Sequence, residues 1–242
     1  YLTFTGPANY EIQDSYKVDV IVTDATGATD KAELTIPVVN VNDDPVITSD
    51  TGSPVDEGNT EIYTAAASDE DAGTTLTYSI SGTDAAKMTI DGSGVVTLNN
   101  AANFESQPSY SFDLTVDDGT TTVTEGIVVN IADINEAPVI TTTTASDYDE
   151  NQDYSANPIF DANATDQDTA DTITYSLGSS KDEALLTIDS TTGEVSLLAD
   201  ANYEGKSSYT FDVIATDDGD GLLSDTQEIS VNITNLNEAP VI

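Results

Sequence analysis

The sequence has no cysteine, no histidine and no tryptophan, one methionine, and only 5 basic residues against 45 acidic ones in 242. The missing thiols and imidazoles remove disulfide, Cys–His and ordinary zinc chemistry together. The scarcity of positive charge leaves a formal net charge of −40. Such a surface repels nucleic acid and anionic lipid alike, so neither is a partner. No apolar run approaches the ~20 residues of a membrane-spanning helix, so direct membrane insertion is not expected. The first residues, Tyr1-Leu2-Thr3-Phe4, resemble neither a signal peptide nor a natural start, and the expectation is a piece of something longer. High acidity alone fits an acidic disordered tail or a protein adapted to a salty habitat. Apolar alternation runs through most of the chain, which argues against disorder and leaves the habitat open.

What is present is a repeat. Tyr16, Val18, Val20 and Val22 share one face of an extended segment, as do Tyr110, Phe112, Leu114 and Val116, and Tyr209, Phe211, Val213 and Ala215. Alternation at period two, with the aromatic at the same end, predicts a half-buried strand three times over. Each copy runs into an Asp near a glycine (Asp24, Asp117, Asp217). A second alternating run follows: Leu34, Ile36, Val38; Ile127, Val129, Ile131; Ile229, Val231, Ile233. Upstream lie Asn9-Tyr10-Glu11, Asn103-Phe104-Glu105 and Asn202-Tyr203-Glu204, each preceded by a short apolar strand: Leu2 and Phe4, Val96 and Leu98, Val195 and Leu197. Two of the units extend further back, through Met88-Thr89-Ile90-Asp91 and Leu186-Thr187-Ile188-Asp189, to Leu76–Ile80 and Ile173–Leu177. No segment has helical periodicity. About seven strands per unit, with turns near every 8–12 residues, predict an all-β chain of tandem Greek-key sandwiches.

The units meet at Asp133-Ile134-Asn135-Glu136-Ala137-Pro138, a stretch repeated as Asn40-Val41-Asn42-Asp43-Asp44-Pro45 and Asn235-Leu236-Asn237-Glu238-Ala239-Pro240. A proline cannot donate to a ladder, so each copy reads as a last strand handing over to a linker. The prolines stand roughly 93 and then 102 residues apart, the size of one small sandwich. The predicted division is therefore 1–44, the last three strands of one repeat; 45–137 and 138–239, two complete repeats; and 240–242, the start of another. Three strands cannot close a two-sheet core. Either truncation or a strand donated by another chain accounts for the first piece.

The repeating acids fall at unit ends. If the units stack end to end, the second junction gathers Glu57, Glu105, Asp133, Glu136, Asp166, Asp168 and Asp217, with Asn103 and Asn135. Neighbouring carboxylates repel by about 1 kcal/mol per pair even in a water-like dielectric. Hard divalent cations remove that penalty. Ca²⁺, which takes 6–8 oxygens, suits such a cage better than Mg²⁺ with its tight hydrated octahedron. Turn capping is the competing account of the acids; it suits isolated positions such as Asp91 and Asp189 but not a set that converges on the unit ends.

An early Glu, an Asp-x-Asp, an Asn-aromatic-Glu, a late Asp before glycine and Asp-Ile-Asn-Glu-Ala-Pro, in this order, resemble tandem cadherin repeats, most of all the bacterial cadherin-like repeats of long acidic surface proteins. The resemblance covers essentially the whole chain. It implies linkers that bind up to three Ca²⁺ and rigidify a rod. For the second junction it assigns Glu57, Glu105, Asp133, Asn135, Glu136, Asp166, Asp168 and Asp217 as ligands. Asn103 and Glu136 depart from the family's usual acid and linker Asp, and the linker is one residue shorter than in animal cadherins, so two or three ions are implied. At the first junction it assigns Glu11, Asn42, Asp43, Asp69, Asp71 and Asp117. Asn40 replaces the leading Asp there, which implies weaker binding. Glu150, Glu204, Asn237 and Glu238 make half of a third set.

The function so implied is a calcium-binding structural and adhesive spacer of a secreted or cell-surface protein. Its partners would be calcium, neighbouring repeats and other copies. Two alternatives remain open: a filament subunit completed by strand donation, and a module directed at carbohydrate. A sugar platform needs exposed aromatics, and only Tyr63, Tyr148 and Tyr154 fall outside the inward pattern. Catalysis is not expected, because the paired carboxylates belong to motifs that calcium explains.

Overall fold

The computed structural model describes residues 1–153 and 157–239. Tyr154 and the third linker's Pro240, with the start of a further repeat at 240–242, lie outside the described residues. The chain divides into two compact units, Tyr1–Asp133 and Ile134–Ile242. Among the described residues both are built of strands, with two single 3₁₀ turns, Ala85–Lys87 and Glu183–Leu185.

The first unit opens with a hairpin of β1 (Ser15–Thr23) and β2 (Thr29–Pro37). Its sandwich follows. One sheet runs in the order β4 (Val55–Asp56), β11 (Thr122–Ala132), β10 (Ser109–Asp117), β7 (Thr77–Ser81). The facing layer has β5 (Glu61–Thr64), β9 (Val95–Leu98) and β8 (Met88–Ile90), with β3 (Val46–Ile47) paired to β6 (Ala67–Ser68). The second unit repeats the plan: β13 (Tyr148–Asp149), β20 (Ser224–Thr234), β19 (Ser208–Thr216), β16 (Thr174–Leu177) against β14 (Phe160–Asp161), β18 (Glu194–Leu197), β17 (Leu186–Ile188), with β12 (Val139–Ile140) on β15 (Ala164–Thr165). β4 and β13 pair in parallel with β11 and β20, and every other ladder among the described residues is antiparallel.

The inward residues of the alternating runs make the cores. Tyr110, Phe112, Leu114, Ile127 and Val129 are buried in the first unit, and Tyr209, Phe211, Val213, Ile229 and Val231 in the second. Tyr63 and Phe160 face them from the opposite layers, edge-on to Phe112 and Phe211 at centroid distances of 5.8 and 6.1 Å. Tyr63 is thus a core residue rather than an exposed exception; its hydroxyl contacts Ser49 Oγ and donates to Asp50 O, both at 2.7 Å. Tyr148 is half-buried against its core. Gly94 and Gly193 close the β8–β9 and β17–β18 turns with φ of +85° and +79°. A Cβ at either would come within 2.6 Å of Ala65 O or 2.5 Å of Ala162 O, so the turns need glycine.

Leu2 and Phe4 form no strand. Among the described residues no ladder includes them, and Phe4 instead packs edge-on to Tyr16 at 4.7 Å. The face of β1 is exposed as well: Val20 is 47% and Leu34 47% accessible.

Candidate metal centres

In the first unit, the turn after Asn9, the linker at 40–44 and the turn before β7 bring acids together. Carboxylate oxygens of Glu11, Asp43 and Asp71 lie within 4.8 Å of one another. Their positions follow from backbone hydrogen bonds. Asp43 N–H donates to Asp71 Oδ2 (2.8 Å), and Asp71 N–H to Asp69 Oδ1 (2.8 Å). The Asn42 amide donates to Asp118 Oδ2 (2.9 Å) and to Asp43 O (2.8 Å). Asp117 Oδ1 accepts from Gly119 N–H at 2.7 Å, which fixes the turn after β10. Withdrawal from water, followed by the charges of Glu70, Asp71, Asp69 and Asp44, raises the Asp43 pKa. Asp118 behaves oppositely: the Thr121 N–H and the Asn42 amide hold its carboxyl well below the usual range.

At the other end of this unit, Glu57, Glu105 and Asp133 offer oxygens within 4.8 Å of one another. Glu57 is buried after β4, and its Oε2 accepts from Phe104 N–H at 3.0 Å. The second unit groups Glu150, Glu204 and Glu238, with Glu238 at the linker position of Glu136 and Asn235 at that of Asp133. Glu150 is fully buried and accepts from Tyr203 N–H and Leu236 N–H, both at 2.7 Å. Asn103 Oδ1 accepts from Ser106 N–H at 2.7 Å, so this oxygen caps its own turn.

Within the second unit, the linker residues meet the Asp-x-Asp turn and the turn after β19. Glu136 N–H donates to Asp168 Oδ2 (2.8 Å), and Asp168 N–H to Asp166 Oδ1 (3.0 Å). The Asn135 amide donates to Asp217 Oδ2 at 3.2 Å. Asp217 is buried, and its Oδ1 accepts from Gly219 and Leu223 N–H at 3.1 and 3.0 Å. Asp91 and Asp189 cap turns: Ser93 and Val95 N–H reach Asp91, and Thr191 and Thr192 N–H reach Asp189.

The donor sets fit a hard cation. Glu11 Oε1, Asp69 Oδ2, Asn135 Oδ1 and Asp166 Oδ2 are buried oxygens without a hydrogen-bond partner. Buried acceptors ordinarily have partners, and all four belong to residues of the candidate ligand set. An all-oxygen set of carboxylates and amides is calcium chemistry. Sequence reasoning missed Asp118, which orients Asn42, and Glu70, which accepts from the Asn9 amide at 3.1 Å. The doublet Asp117-Asp118, repeated as Asp217-Asp218, was the available signal for the first.

Residues 147–234 match the Cadherin domain family. Human Protocadherin Fat 1 is 30% identical over 259 aligned residues, covering 98% of this chain and 6% of that protein. Human Cadherin EGF LAG seven-pass G-type receptor 2 is 30% identical over 223, covering 87% and 8%. The chain thus spans only a small fraction of either relative's length. Among solved structures, human CDH23 EC21-23 superposes with a TM-score of 0.66 at 26% identity, over 93% of this chain and 76% of that one. Family match, relatives and shared sandwich architecture agree: the chain is built of cadherin repeats.

Proposed function

We propose that this chain is a calcium-binding spacer and adhesive segment of a secreted or cell-surface protein. The observation that carries the reading is the set of buried, unpartnered oxygens on Glu11, Asp69, Asn135 and Asp166. The ligands are Glu11, Asn42, Asp43, Asp69, Asp71 and Asp117 at the first linker. At the second they are Glu57, Glu105 and Asp133 from one unit, with Asn135, Glu136, Asp166, Asp168 and Asp217 from the next. Residues 1–44 belong to one repeat, and 45–137 and 138–239 are complete ones. The role is structural and binding rather than catalytic, and its partners are calcium, neighbouring repeats and further copies or another surface ligand. No helix among the described residues is long and apolar enough to cross a membrane.

The ligands proposed for the second linker include seven carboxylates, and like charges held close repel one another without counter-charge. Calcium supplies charge and ligand geometry together; ~0.15 M sodium supplies only screening. Bound calcium therefore stiffens the linkers with little change in strand content. Extracellular sites of this kind respond near 10⁻⁴–10⁻³ M, so the response is expected at about millimolar calcium. Small-angle scattering in chelator and then in millimolar Ca²⁺, at constant ionic strength, is expected to show a longer and narrower distance distribution with calcium. An unchanged maximum dimension, or an equal extension with sodium, overturns the reading.

A further inference from the structure

The second unit contains an arrangement that the cadherin-like motifs do not predict. Asn135 Nδ2 donates to Asp217 Oδ2 and also to Asp220 O at 3.1 Å. Two acceptors at one end of the amide identify that end as nitrogen and turn Oδ1 the other way. That oxygen is buried and has no hydrogen-bond partner. It lies over the backbone of Gly219, where a Cβ would overlap both Asn135 Oδ1 and Asp171 Oδ2. Asp171 stands three residues beyond the Asp-x-Asp pair, and its loop is pinned from both sides. Asp171 N–H donates to Asp168 O at 2.9 Å, and Thr172 N–H to Asp218 Oδ1 at 2.6 Å.

An amide oxygen set beside a carboxylate oxygen is acceptor against acceptor. A proton or a cation satisfies both, and a hard cation suits a site with Asp217 and Asp168 on the adjoining turns. We propose that Asp171 is a calcium ligand of the second unit, sharing its ion with Asn135 Oδ1 across Gly219. The first unit is built differently at this place. The Asn42 amide is turned onto Asp118, Asp43 O and Thr121 Oγ1, and the residues after Asp71 are Ala72, Gly73 and Thr74. The second unit therefore gains a charged ligand that the first lacks, and the two differ in affinity for that reason. The inference rests on the calcium reading and adds a residue and a ranking to it.

The test is calcium titration of the whole 242-residue chain by calorimetry, with amide NMR following Gly219. Wild type, Asp171→Asn, Asp171→Ser and Gly219→Ala are compared. Asp171→Asn is expected to weaken the tightest site by about tenfold, the order by which ligand charge tunes such sites, and to reduce the calcium-induced shift of Gly219. Far-ultraviolet circular dichroism should be unchanged. Asp171→Ser serves the same purpose if the amide rearranges the loop, and Gly219→Ala should weaken the same site sterically. If wild type takes up no calcium, the calcium reading fails and this inference with it. If wild type binds and both Asp171 variants match it in affinity and in the Gly219 shift, Asp171 is not a ligand and the calcium reading stands.

Discussion

The hairpins β1–β2 and β10–β11 are two versions of one pattern. Each pairs nine residues with nine, antiparallel, and each carries an aromatic followed by alternating apolar residues. Val18 faces Leu34 and Tyr16 faces Ile36 in the first; Phe112 faces Ile127 and Tyr110 faces Val129 in the second. Their fates differ. Phe112 is 1% exposed and Leu114 and Ile127 are 0%, whereas Val22 is 67% and Leu34 47% exposed. The difference lies outside both hairpins: Ile62, Tyr63, Val96 and Leu98 cover the second, while Leu2 and Phe4 lie beside the first. Alternation creates an apolar face; a facing sheet is what removes it from water.

The comparison breaks most visibly under truncation of the face. Phe112→Ala should destabilise its sandwich by about 3–5 kcal/mol, through lost transfer energy and the cavity left. Val20→Ala, at the matching face of β1, should stay within about 0.5 kcal/mol, because that residue is already 47% exposed. Urea unfolding of both variants decides it, and equal losses would mean that the first hairpin is covered in solution.

Hydrogen exchange sharpens the same contrast without mutation. Amides of β10 and β11 should open only with the whole sandwich. Those of β1 and β2, in an equally regular ladder, should exchange faster by on the order of 10²-fold or more, because local stability follows buried apolar contact rather than pairing alone. Equal protection would overturn this account of the two hairpins.

A smaller effect comes from a clamp on β10. Asp84 Oδ2 accepts from Ser111 N–H at 2.9 Å, Asp84 N–H donates to Ser111 O at 3.0 Å, and Lys87 bonds the other carboxylate oxygen at 2.8 Å. The Lys87 hydrogen bond, together with the Ser111 amide, lowers the Asp84 pKa against a smaller opposing effect of burial. A depressed carboxylate gives up its proton more readily when folded than when unfolded. Its stabilisation is therefore complete above the unfolded value near 3.8 and is lost as pH falls through the folded one. Asp84→Asn should lower stability by about 1 kcal/mol at neutral pH, by less at pH 2–3, and so flatten the acid limb of the stability curve. An unchanged acid limb would show that the clamp carries no charge-dependent stability.

The linkers show where the sequence stops informing. Asn42 and Asn135 occupy the same place in their motifs, yet one amide is turned onto Asp118 and the other onto Asp217 and Asp220 O. That choice follows from loop lengths and turn geometry after β10 and β19, which no local pattern encodes. Asp171 escaped notice for the same reason: it lies outside every repeated motif and becomes relevant only because the chain folds it over Gly219.

By itself the sequence determined the strands, their inward faces, the repeat and the acids at its ends. These are period-two and spacing properties, carried by side chains a few residues apart. Only the tertiary structure decided the parallel pairing of β4 and β13, the burial of Tyr63 and the failure of Leu2 and Phe4 to form a strand. It also decided which oxygens at the unit ends are left buried without a partner. Each of these depends on residues distant in sequence arriving at one place, and contact at a distance is a property of the fold rather than of any local run.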